Sequence, residues 1–147
     1  MAYQAWSVIA GETPTATKWN ILGSNDDDFD TRIQQLIDDN TIISASDGAT
    51  VEFDFSQSRI QHVQIAGNRT LEFDNVDVKR PFAVFIQQDG SGGRTVTWPS
   101  GISWPSNVAP TLTATPNAVD AFLFVPKPTW VETSNEVYWG LFAGFGL

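Results

Sequence analysis

Two pairs of carboxylates, Glu52/Asp54 and Glu72/Asp74, stand two residues apart within alternating runs. That spacing points both acids of a pair to one face of a strand, opposite Phe53 or Phe73. Paired carboxylates can hydrolyse glycosides, but a catalytic acid needs burial, and clean alternation argues for a solvated face. Asp26, Asp28 and Asp30 open like a calcium loop, yet Thr31 and Ile37 occupy the positions where that loop needs Gly and a bidentate Glu. They read instead as acids in the first turn of a helix, at the positive end of its dipole. His62 is the only histidine, in the alternating run Ile60–Ile65, with no nucleophile elbow in the chain. A Ser-His-Asp triad and a zinc site are therefore not expected. No catalytic residue, metal site or cofactor is assigned, and the protein is not expected to be an enzyme.

Aromatic side chains offer the best case for a ligand. Trp98, Trp104 and Trp130 fall in loop-like segments, where indole rings can stack on sugars. The competing reading makes Trp98 and Trp139 core or rim at strand ends, with Trp104 and Trp130 packing loops or a subunit contact. Trp98–Ser106 carries Trp-Pro-Ser twice, six residues apart, and proline confines such a segment to a loop or sheet edge.

Composition narrows the classes further. The 147 residues are about one domain's worth, and 41% are hydrophobic, enough for a sizeable core. Only 17% are charged, so the polar surface must come mostly from uncharged side chains. Cysteine is absent, which excludes a disulfide scaffold, a thiolate site and a Cys nucleophile. The formal net charge is −9, most of it carried by ten acids among residues 1–54 against Lys18 and Arg32. Such a chain opposes binding to phosphate backbones and to anionic membranes. Met1–Ala10 has neither a basic segment nor a long apolar run, so no signal peptide or membrane insertion is expected.

The elements divide at about position 47. Residues 1–47 read as an arm with short helices: a stretch around Thr17–Leu22 closed by Gly23, then a helix over Phe29–Asn40. Phe29, Ile33, Leu36 and Ile37 fall on one face of that helix, which alone in water is marginal and must pack on something. Residues 48–147 read as β, with alternation in Val51–Phe55 and Leu71–Phe73 and further strands at Arg59–Ile65, Pro81–Gln87, Arg94–Trp98, Ala121–Val125 and Val137–Ala143. Asp89–Gly93 reads as a Gly-rich hairpin turn between two of them. No repeat of solenoid length is discerned. The expected fold is mainly β, an antiparallel β-sandwich or jelly-roll-like domain behind the helical arm. An apolar ending through Phe145 and Leu147 points to burial in a subunit interface, together with Trp19, Phe29, Ile33, Leu36 and Ile37.

Two stretches carry a resemblance. Ala10-Gly11-Glu12-Thr13-Pro14-Thr15-Ala16-Thr17-Lys18-Trp19-Asn20-Ile21-Leu22-Gly23-Ser24-Asn25-Asp26, followed by Phe29, resembles an opening segment of tailed-bacteriophage structural proteins. Gly67–Leu71, Gln88–Trp98, Pro110–Thr113, Asn117, Asp120, Phe122 and the turn Tyr138-Trp139-Gly140 are similar to a small β domain of phage virion proteins. The resemblance implies a virion structural protein, made in the host cytoplasm and located in the particle, and a homotrimer. The expected role is a capsid cement or decoration protein bound to the major capsid protein. A short tail-fibre or tail-tip protein, contacting a host surface glycan or another tail or baseplate protein, is the alternative. A stand-alone carbohydrate-binding module is the third.

Overall fold

Alternation of apolar and polar residues governs the strands from Thr50 onward. In the computed structural model, residues 31–34, 41–127 and 138–144 are described. The chain divides into two units, Met1–Asp38 and Asp39–Leu147. Of the first, Thr31–Gln34 form helix, with Ile33 exposed. The stretch Thr17–Leu22, Asp26, Asp28, Asp30 and the anchor residues Trp19, Phe29, Leu36 and Ile37 lie outside the described residues, as do Trp130, Phe145 and Leu147.

The second unit is mainly strand: β1 (Ile42–Ser44), β2 (Thr50–Asp54), β3 (Ile60–Ile65), β4 (Arg69–Asp74), β5 (Phe82–Gln88), β6 (Val96–Thr97), β7 (Ile102–Ser103), β8 (Val119–Pro126) and β9 (Tyr138–Gly144). Strand pairing thus begins at Ile42, ahead of position 48. Six strands form one sheet in the order β1-β3-β5-β8-β9-β7, and three form another in the order β2-β4-β6.

The antiparallel expectation needs correction. Only β5–β8 and β8–β9 pair antiparallel among the described strands, while β1–β3, β3–β5, β2–β4, β4–β6 and β7–β9 are parallel. From β1 to β6 the chain crosses to the other sheet after every strand, so each strand meets as its neighbour the strand two earlier. Connections that would be hairpins in a meander are here crossovers.

Asp89–Gly93 shows the difference. It joins β5 in one sheet to β6 in the other, and is not a hairpin turn. The Asp89 carboxylate accepts from the Ser91 and Gly92 amides at 3.0 and 2.9 Å and holds Arg94 at 2.7 Å. The buried Gln88 side chain accepts from the Arg94 amide at 2.9 Å and donates to its carbonyl at 3.0 Å. A side chain thereby supplies the pairing a neighbouring strand would give.

A five-residue repeat underlies the pairing of β2 with β4. Thr50-Val51-Glu52-Phe53-Asp54 recurs as Thr70-Leu71-Glu72-Phe73-Asp74, and the two copies pair in register as β2 and β4. The other crossovers differ in length and sequence, which hides the period.

One core serves both sheets. Val51, Phe53 and Leu71 of the three-stranded sheet and Val63, Ile65, Phe82, Val84, Ile86, Phe122 and Phe124 of the six-stranded sheet are buried in a single cluster. Rings bridge the layers: Phe73 meets Phe82 edge-on at 5.4 Å and Phe124 at 5.0 Å. Buried Asp120 accepts from the Thr113 amide and hydroxyl at 2.6 and 2.8 Å, fastening the long β7–β8 connection.

Candidate functional site

Stacking a repeat on itself puts like over like. The face of the three-stranded sheet away from the core therefore carries Glu52 beside Glu72, Asp54 beside Asp74, and Thr50, Thr70 and Thr97 in one row. Four carboxylates on adjacent strands repel each other, and two of them, Asp54 and Glu52, respond in opposite ways. Asp54 accepts from the Ser56 amide and hydroxyl at 3.0 and 2.7 Å, Gln57 Nε2 at 3.2 Å and Asn75 Nδ2 at 2.8 Å. The Asn75 bond first, then those from Ser56 and Gln57, hold its carboxyl well below the usual carboxylate range. Glu52 goes the other way: a side-chain hydrogen bond to Asp74, then the negative charge around it, pushes its pKa up.

The Glu52 shift sets a pH dependence. A raised folded-state pKa contributes stability below the ordinary value of 4.5 and loses it as pH rises through the raised value. Glu52→Gln is therefore expected to raise the melting temperature at neutral pH, with the gain closing below pH 4.5. Thermal scans across pH and salt check this, and a lower melting temperature at neutral pH refutes it.

Two open hollows flank the carboxylates. One, of about 520 Å3, is lined by residues including Ser44, Asp47, Glu52, Asp54, Gln57 and Gln61. Asp47 is tied by two bonds to Arg69, at 2.7 and 2.8 Å, and that guanidinium foremost holds its carboxyl below the usual range. The second hollow, of about 490 Å3, is lined by Thr70, Leu71, Glu72, Phe73, Asp74, Trp98, Pro99 and Ser100. It brings a tryptophan beside two carboxylates and two hydroxyls.

The tryptophans named from sequence are placed unequally. Trp98 is half-buried, edge-on to Phe122 at 4.6 Å and to Trp104 at 5.0 Å, and donates from Nε1 to the Pro110 carbonyl at 3.2 Å. It packs the core with one part of its ring and lines the hollow with another. Trp104 is also half-buried, lies 5.8 Å from Phe124 and covers Gly140, where any side chain would run into its ring. His62 faces Gln87 Oε1 at 3.3 Å across β3 and β5. Among the described residues, no group of three or more His, Asp or Glu side chains is disposed to hold a metal ion.

The pairing of Glu52 with Glu72 and of Asp54 with Asp74 escaped the sequence reading, which saw each pair only within its own strand. The five-residue repeat was the signal that places them together. Comparison with known protein families, characterised proteins and solved structures finds no match to this chain. No helix among the described residues is long and apolar enough to cross a membrane.

Proposed function

We propose that this chain is a non-enzymatic structural protein of a tailed-phage particle, a sandwich-type β module that acts by contact with other proteins. The observation that carries the reading is a row of exposed apolar side chains on the six-stranded sheet, Ile42, Leu123 and Leu141, on a protein of net charge −9. Large exposed apolar patches mark contact surfaces. The ionic and buried polar groups support it, because they are engaged in holding turns: Asp47 with Arg69, Asp89 with Arg94, Asp120 with Thr113. Attachment to a particle multiplies several weak contacts through effective concentration.

The purified protein is offered in parallel to phage particles lacking it and to intact host cells. Saturable binding to particles, at a ratio tied to lattice sites, is the expected result for a capsid decoration protein. Binding to neither overturns the proposal.

A second reading rests on the hollow around Trp98. An indole edge beside Glu72, Asp74, Thr70 and Ser100 suits a sugar, which stacks on rings and donates its hydroxyls to carboxylates. It makes the protein a tail-fibre or tip component that touches a host glycan. Glu72→Gln with Asp74→Asn removes both acceptor charges without disturbing the core. Cell binding that drops at least tenfold in this variant, and that is abolished by stripping surface glycans, establishes the site. Unchanged binding refutes it.

A further inference from the structure

The register of the six-stranded sheet places Ile42, Ile60, Ala83, Leu123 and Leu141 in one row across five strands. Ile60, Ala83 and Leu123 point away from the core, because their sequence neighbours Gln61, Phe82, Val84, Phe122 and Phe124 point into it, and Ile42 and Leu141 share their face by register. Beside this row lie Ser44, His62, Phe85 and Ala121 on one side, Val125 and Trp139 on the other. Alternation should make such a face polar in a sheet with one solvated side. Here the central row is wholly apolar, with Ile42 60%, Leu141 47% and Leu123 43% exposed. A shallow hollow of about 220 Å3 sinks into it beside Arg59, Ile60, Pro81, Ala83 and Leu123.

We infer that this face is where a second copy of the same chain docks, sheet against sheet. Charge selects the occupant. Two copies at net charge −9 repel, and the other sheet presents four carboxylates. The row and its flanking residues carry no carboxylate; Arg59 at the hollow is the charged group and His62, beside Phe85, the titratable one, so two such faces meet without opposing the acidic groups that give the chain its charge. An apolar row is also complementary to itself, as a twofold contact requires.

Area sets the strength. Five strands spaced about 4.8 Å apart and about six residues long at about 3.3 Å each give a face of roughly 400 Å2 in plan. A standard interface buries about 800 Å2 per partner, so this face alone makes a concentration-dependent pair rather than an obligate one. Salt strengthens it, because screening relieves the acidic repulsion while leaving the apolar contact.

The inference deepens the reading of a particle component that acts by contact, and its test is independent of particles. Sedimentation equilibrium of the full chain over a range of concentrations is expected to show a monomer–dimer equilibrium that shifts toward dimer at high salt. Leu123→Asp with Leu141→Asp should weaken association at least a hundredfold, whereas Val108→Asp, 68% exposed on a loop, should leave it unchanged. Circular dichroism of each variant confirms the fold. Because the chain has no cysteine, Ser44→Cys can carry a single nitroxide on this face and Glu72→Cys one on the opposite sheet. Dipolar broadening from position 44 but not from position 72 supports the pairing and does not depend on the aspartate variants. A monomer at every concentration, or a dimer indifferent to Leu123→Asp with Leu141→Asp, overturns the inference. A dimer that fails to bind particles leaves the docking face standing and removes the particle assignment.

Discussion

Phe124→Ala is expected to destabilise the β unit by about 3–5 kcal/mol, the range for emptying a well-packed aromatic site. The ring is fully buried and lies within 6.1 Å, centroid to centroid, of four others: Phe73, Phe82, Trp98 and Trp104. Those neighbours come from the three-stranded sheet, from β5 and from the loop segment that carries both tryptophans. One deletion therefore loosens both layers and the loops at once, and the rings around it are too constrained by each other to collapse into the space. A domain of this size holds about 5–15 kcal/mol in total, so the variant sits close to its unfolding limit. Denaturant titration with an unchanged slope measures the loss, and Phe124→Leu should recover more than half of it. A cost under about 1 kcal/mol would mean the ring cluster is not the structural centre.

Gly92→Ala is the second large effect, best judged beside Gly93→Ala. Both glycines have positive φ, +68° and +72°, which costs a residue with a Cβ about 1–2 kcal/mol. At Gly93 nothing lies within 4 Å of the added carbon, so the cost ends there. At Gly92 the carbon would collide with the Ala114 carbonyl oxygen and stand 2.8 Å from the Pro116 nitrogen, both backbone atoms. Relief requires moving the 114–116 segment, which accepts the Gly93 amide at 2.9 Å. Strain plus the disturbed hydrogen bond brings the expected loss to about 3 kcal/mol or more. Equal losses in the two variants, measured by chemical denaturation, would refute this account.

Period-two alternation was enough to locate β2 through β5 and β8, to turn Val51, Phe53, Val63, Ile65 and Leu71 inward, and to leave Glu52 and Glu72 outside. Alternation says which face a residue takes, and nothing about which strand lies next to it. Partner choice here follows from crossovers of unequal length, and the Gly-rich run at Asp89–Gly93 looks the same whether it reverses the chain within a sheet or carries it to the other. The acidic face was half legible for that reason: each pair was seen on its strand, but the meeting of Glu52 with Asp74 depends on parallel pairing. The exposed apolar row was hidden more thoroughly. Ile42, Ile60, Ala83, Leu123 and Leu141 come from five separate strands, and only the register gathers them. Within single strands, Ile60–Ile65 and Phe82–Gln88 look like ordinary half-buried segments.

The crossing of the chain between sheets has a consequence for how the protein is made. No strand from β1 to β6 pairs with its immediate successor, so during synthesis β1 and β2 emerge before either has an in-sheet neighbour. They wait, with apolar side chains uncovered, until β3 and β4 have left the ribosome. Contacts of such high sequence separation fold slowly, because loop closure comes before the contacts that reward it. During that interval the nascent segment is exposed to aggregation, and chaperone occupancy should concentrate on chains truncated between β2 and β4.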